Sequence, residues 1–125
     1  VKSIMSILEW RHMTMRGLGV DVVETKRFTS FVNDRKDPFL ERNFSKEELA
    51  YSFSFKNAAV HLAGTFAAKE AVVKALRSPV SLSGIIIKRK KTGEPMVWIK
   101  NRHRKSLLVS ISHTARMAVA VAIRQ

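Results

Sequence analysis

Residues 66 to 76, FAAKEAVVKAL, constrain this chain more than any other stretch, because they read as a helix apolar on almost every side and interrupted only by Lys69, Glu70 and Lys74. A helix of that composition must be buried, and a buried helix has no structural need for Glu70. At about 100° per residue, Glu70 and Lys74 fall one turn apart on one stripe, so an acid and a base share an otherwise apolar cylinder. Two readings stand open. A surface Glu and Lys pair at i,i+4 would stabilise the helix by roughly 0.3 kcal/mol. Alternatively, the pair serves a ligand.

Upstream, residues 17 to 24, GLGVDVVE, read as a strand with Leu18, Val20 and Val22 on one face and Gly19, Asp21 and Val23 on the other. Apolar residues on both faces predict an interior strand. An unpaired carboxylate there costs several kcal/mol, roughly, unless a cation or donors meet it. Asp21 therefore either caps a helix starting near Glu24 or faces a partner on another buried element.

Three blocks together, GLGVDVVETKRF, LAGTFAAKEAVVKAL and VSISHT, resemble the holo-acyl-carrier-protein synthases of the 4'-phosphopantetheinyl transferase superfamily, over roughly residues 15 to 125. The resemblance implies an α+β fold, an antiparallel sheet packed on a long helix, assembled as a trimer with active sites between subunits. It implies transfer of the phosphopantetheine arm of coenzyme A to a serine of an acyl carrier protein, releasing 3',5'-ADP, in support of fatty acid biosynthesis. Such phosphoryl transfer is limited by charge and alignment, and Mg²⁺ held by one or two carboxylates suits it. By resemblance, Asp21 and Glu70 are the metal ligands, and Glu70 and Lys74 are the catalytic pair. Lys74, Pro95 and His113 are the coenzyme A contacts, and Arg27 and Phe31 meet the carrier protein. Either Glu70 or a metal-bound water would deprotonate the serine.

The chain departs from the family pattern at Thr65, where many members carry an arginine, and at Arg77, Ser78 and Pro79, which replace a glycine-rich turn. Arg77 is a candidate for restoring part of the lost charge. Residues 1 to 14 form an N-terminal extension, and the apolar run from Ile4 to Leu8 is too short for a signal-peptide core or a membrane span.

Other chemistries lack their motifs. His12, His61 and His103 show no zinc-site spacing. Ser112 beside His113 lacks the flanking glycines of a nucleophile elbow. Gly17 and Gly19 are not followed by the third glycine of a dinucleotide loop, since Val22 stands there.

At 125 residues the chain makes one domain. The absence of cysteine excludes disulfides and thiolate metal sites, and a cytoplasmic enzyme is the expectation. Twenty-three basic residues against ten acidic ones give a net charge of +13, which calls for an anionic partner. An acidic carrier protein with coenzyme A fits that need. The alternative is a basic nucleic-acid-binding module of the same fold, using Lys88 to Lys91 and Arg102 to Lys105. Few aromatic residues interleave those runs, so neither nucleic acid nor membrane is the expected partner.

For the remaining segments, the pattern predicts a helix from about Glu24 to Asp34, with Phe28 and Val32 on the core side. Ser45 and Glu48 signal a capping box for a short helix to about Phe53. The long helix should run from about Ala59 to Leu76. Strands follow at 84 to 90, 96 to 100, 107 to 112 and 117 to 123, the first two joined by a hairpin turn through Thr92, Gly93, Glu94 and Pro95. The last strand, MAVAVAI, reads as buried on both sides.

Overall fold

The computed structural model of the protein describes residues 14–125; the expectations for the N-terminal extension, Ile4 to Leu8 and His12 included, lie outside the described residues. Strand β1 (Gly17–Glu24) opens the domain and leads into a 3₁₀ helix, Thr25–Asn33. Three α-helices follow: α1 (Pro38–Asn43), α2 (Lys46–Phe53) and α3 (Ala58–Leu76). After a short 3₁₀ turn come β2 (Ile85–Arg89), β3 (Pro95–Ile99), β4 (Arg102–His103), β5 (Leu107–His113) and β6 (Met117–Arg124). The strands form two antiparallel sheets, ordered β1-β6-β5 and β2-β3-β4.

Helix α3 is the axis of the core. It lies across β1 and β6, and fourteen of its nineteen residues are buried. Alanines dominate its contact face, and glycines meet them on the strand. A Cβ on Gly17 would stand 1.9 Å from the Ala75 carbonyl oxygen, and one on Gly19 equally close to that of Ala71. Those two positions let strand and helix backbones touch, which is what brings the ends of their side chains together.

The segment after β1 corrects the sequence reading. It is a 3₁₀ helix, so residues three apart eclipse, and Phe28 shares its side with Phe31 and not with Val32. Phe28 is buried, with its ring 5.7 Å from that of Phe31 and 5.5 Å from that of Phe66, while Val32 is exposed. Helix α1 was not anticipated, although its signal is plain: Asp37 caps it by accepting from the Phe39 N–H at 2.8 Å, and Pro38 occupies the first turn. The capping box of α2 is present, with Ser45 and Glu48 bonded reciprocally at 2.8 and 3.0 Å.

The strands expected to be interior are buried on one face only. Leu18, Val20 and Val22 of β1 point to solvent and are each more than half exposed, joined by Leu108 of β5 and Met117 of β6. On β6 the alanines at 118, 120 and 122 are buried, whereas Val119, Val121 and Ile123 are half-buried. The reason is pleating: β1-β6-β5 has α3 on one face and nothing from the described residues on the other. The tip of the β2–β3 hairpin turns at Lys90 to Gly93, with Gly93 at φ 94° and its N–H donating to the Lys90 carbonyl at 2.8 Å.

Candidate active site

Asp21 lies on the face of β1 turned toward α3, two residues past the Gly19 contact. It does not cap the next helix. Its Oδ1 accepts from the Lys74 ammonium at 3.3 Å, and the same ammonium donates to the Val20 carbonyl at 2.8 Å. Lys74 thus reaches across the seam to the strand and makes no ion pair with Glu70 along the helix. That disposes of the surface-pair reading. Glu70, half-buried one turn away, has no hydrogen-bond or ion-pair partner among the described residues. Two carboxylates, one unpartnered, with a lysine beside them, form a hard oxygen donor set suited to Mg²⁺ and phosphate oxygens. No cluster of three or more metal-ligating side chains occurs among the described residues, so a cation here would take its other ligands from water and substrate.

Lys69, adjacent to Glu70 in sequence, faces the other way and is fully buried. Its ammonium donates to Glu48 Oε1 at 2.7 Å and to the Asn43 carbonyl at 2.6 Å. Glu48 Oε2 accepts from the Ile87 N–H at 2.7 Å. Burial pushes the Lys69 ammonium below its ordinary range, and Glu48 opposes that shift. The sequence reading took the capping box and the helix lysine as separate features. They are one network joining α1, α2, α3 and β2, and no spacing rule connects residues so far apart in the chain.

His113 ends β5 and is exposed. Its ring meets His61 of α3 edge to face at 5.4 Å, and His61 in turn stacks on Phe55 at 3.7 Å. The His61 partnership escaped the sequence reading because it joins a strand end to the first turn of a helix. His61 is held below the usual histidine range, first by burial, then by the charges of His113 and Arg89. A depressed folded-state pKa contributes stability that is present above about pH 6.5 and lost as pH falls below it. The acid-side loss of thermal stability between pH 7.5 and 5 should therefore be smaller in His61→Phe than in the parent, as thermal melts across that range would show. Tyr51, Phe55, Arg89 and His113 surround the ring and are unchanged in that comparison.

The remaining expected site residues are spread over the surface. Arg27 is exposed, its guanidinium 5.3 Å from the centre of the Phe66 ring, and Phe31 stacks on Phe39 with centroids 5.5 Å apart. Pro95 starts β3 opposite Arg89. Within one copy these positions do not converge on Asp21 and Glu70: His113 adjoins residue 61 of α3, nine residues before Glu70, or roughly 13 Å along a helix. Thr65 is buried. Arg77 cannot replace charge there, since it is the left-handed cap at the far end of α3, φ 56°, twelve residues on.

A single apolar helix packed on strands through glycine, with carboxylates and a lysine at the seam, is an arrangement for handling a phosphate-bearing substrate, and comparison with known proteins gives it a class. The family model described as the 4'-phosphopantetheinyl transferase superfamily matches residues 17–122, and the chain belongs to that superfamily. Relatives named holo-acyl-carrier-protein synthase include those of Thermodesulfovibrio yellowstonii, 37% identical over 87% of this chain and 97% of its own length, and Caldicellulosiruptor bescii, 43% identical over 86% and 96%. Among solved structures, the Helicobacter pylori holo-acyl-carrier-protein synthase in complex with coenzyme A is similar with TM-score 0.72 and 30% identity, covering 86% of this chain and 99% of that one. The Bacillus anthracis synthase in complex with CoA (3',5'-ADP) gives TM-score 0.73 and 28% identity, covering 90% and 97%.

Proposed function

We propose that the chain transfers 4'-phosphopantetheine from coenzyme A to a serine of an apo acyl carrier protein, yielding holo carrier protein and 3',5'-ADP in support of fatty acid biosynthesis. The observation that carries this is the seam at which Lys74 meets Asp21, with Glu70 unpartnered one turn away. Relatives along almost their whole length are named for the same reaction.

Asp21 and Glu70 would hold Mg²⁺, which when bound neutralises pyrophosphate oxygens. Lys74 swings on a long stem between the Val20 carbonyl and a phosphate oxygen, offsetting charge as the bond to the leaving group breaks. Glu70, placed beside it, is suited to accept the serine proton. His113 holds the nucleotide end of coenzyme A with Lys74 and Pro95, and Arg27 with Phe31 docks an acidic carrier. The broad positive charge of +13 speeds the encounter with that partner.

The separation of His113 from Glu70 within one copy supports a trimer in which neighbouring subunits complete each site. The exposed face of Leu18, Val20, Val22, Leu108 and Met117 is apolar enough to be its contact. Val20→Asp should shift the protein from trimer to monomer in analytical ultracentrifugation, and a variant that stays trimeric would exclude this face. No helix among the described residues is long and apolar enough to cross a membrane. A cytoplasmic setting accords with the reaction and with the lack of cysteine. The deciding assay incubates the protein with coenzyme A, Mg²⁺ and apo carrier. A carrier mass increased by one phosphopantetheine supports transfer, and an unchanged mass at high enzyme concentration rejects it.

A further inference from the structure

Behind His113 stands a group of side chains that the reaction described above leaves unexplained. His61 is clamped between the Phe55 face, 3.7 Å away and nearly parallel, and the edge of Tyr51, with ring centres 6.0 Å apart. The Arg89 guanidinium lies over the other ring of that group, 4.5 Å from the centre of Tyr51, and donates to the Gly93 carbonyl at 3.2 Å. Arg89 makes no ion pair among the described residues, although it is shielded by its neighbours. Its charge is close enough to His61 to disfavour a proton there. Three groups able to carry positive charge, His113, His61 and Arg89, are thus gathered on one side of an aromatic shelf with no carboxylate partner bonded to any of them. Gathering like charges is unfavourable, and an anion between them removes the penalty. The shelf adds a second feature: Phe55 is exposed on its outer side, a flat apolar surface beside the cations. Flat ring plus clustered donors is what a phosphorylated nucleoside needs, its base on the ring and its phosphate on the cations.

We propose that Arg89 and His61 act with His113 as the subsite for the 3'-phosphate of the nucleotide end of coenzyme A. The inference rests on the placement of that end at His113 in the function proposed above. Arg89 supplies the permanent charge, held in place by Tyr51 and the hairpin turn at Gly93. His61 positions the His113 ring through their edge-to-face contact. The subsite therefore discriminates between nucleotides with and without a 3'-phosphate, while contributing nothing at the scissile bond.

The test is calorimetric titration of the full chain with 3',5'-ADP and, separately, 5'-AMP. The parent should bind the bisphosphate more tightly. Arg89→Gln should lower that preference about tenfold, Arg89→Lys should keep most of it, and His61→Phe, which retains the stack on Phe55, should lower it by a smaller factor. Arg77→Gln, at the far end of α3, should leave it unchanged. Preference intact in both Arg89→Gln and His61→Phe overturns the subsite. Should Arg89→Gln fail to give a cooperative melt, His61→Phe and Arg89→Lys decide. Carrier modification by the parent, measured in parallel, separates the two ideas: a parent that transfers the arm but whose nucleotide preference ignores these variants refutes the subsite alone. A parent that modifies no carrier refutes the transferase reading itself.

Discussion

Asp21→Ala and Glu70→Ala should each reduce carrier modification by at least a thousandfold while leaving the thermal melt and circular dichroism close to those of the parent. The size follows from the chemistry: phosphoryl transfer with no covalent intermediate relies almost wholly on charge stabilisation and alignment, and single groups in that role are worth about 10²–10³ or more in rate. The stability expectation follows from the structure. Glu70 has no partner to lose, and Asp21 loses one half-exposed lysine contact. Mass spectrometry of the carrier reads the rate, and near-parent turnover in either variant would show that the metal and base assignments are wrong. Lys74→Ala should fall less far, because it removes a mobile cation and leaves both carboxylates in place.

The second large effect is on the fold. Glu48→Ala strands the Lys69 ammonium in the core with only the Asn43 carbonyl, and also orphans the Ile87 N–H. Breaking a buried pair by removing one member typically costs about 3–5 kcal/mol, a large share of the stability of a domain this size. Chemical denaturation should show that loss. The double variant Glu48→Leu with Lys69→Met should recover much of it, since apolar replacement of a buried pair is often neutral or stabilising. A single variant as stable as the parent would mean that the network is dispensable.

The legible part of this protein was whatever periodicity and local chemistry encode. The capping box, the long helix, the strand alternation and the hairpin glycine are all short-range signals. The 3₁₀ helix was misread because Phe28, Phe31 and Val32 satisfy either period, and tertiary packing of phenylalanines selected the tighter one. Burial of β1 and β6 was overstated because apolar alternation cannot tell a second core face from a face left for another molecule. Asp21, Glu70 and Lys74 were legible as misplaced charges, yet which of them pair was not: the lysine chose a strand carboxylate fifty-three residues away over the acid one turn along its own helix. The Lys69 network and the His61 contact with His113 are products of topology, and no window on the chain contains both partners.

The apolar outer face of β1 has one more consequence, for how this protein must be measured. If that face is covered only when copies meet, folding and assembly share a single free energy, and the melting temperature becomes a function of protein concentration. Specific activity would then decline on dilution as sites built from two copies come apart. A catalytic constant obtained at nanomolar protein would describe the dissociation of subunits as much as the chemistry they perform.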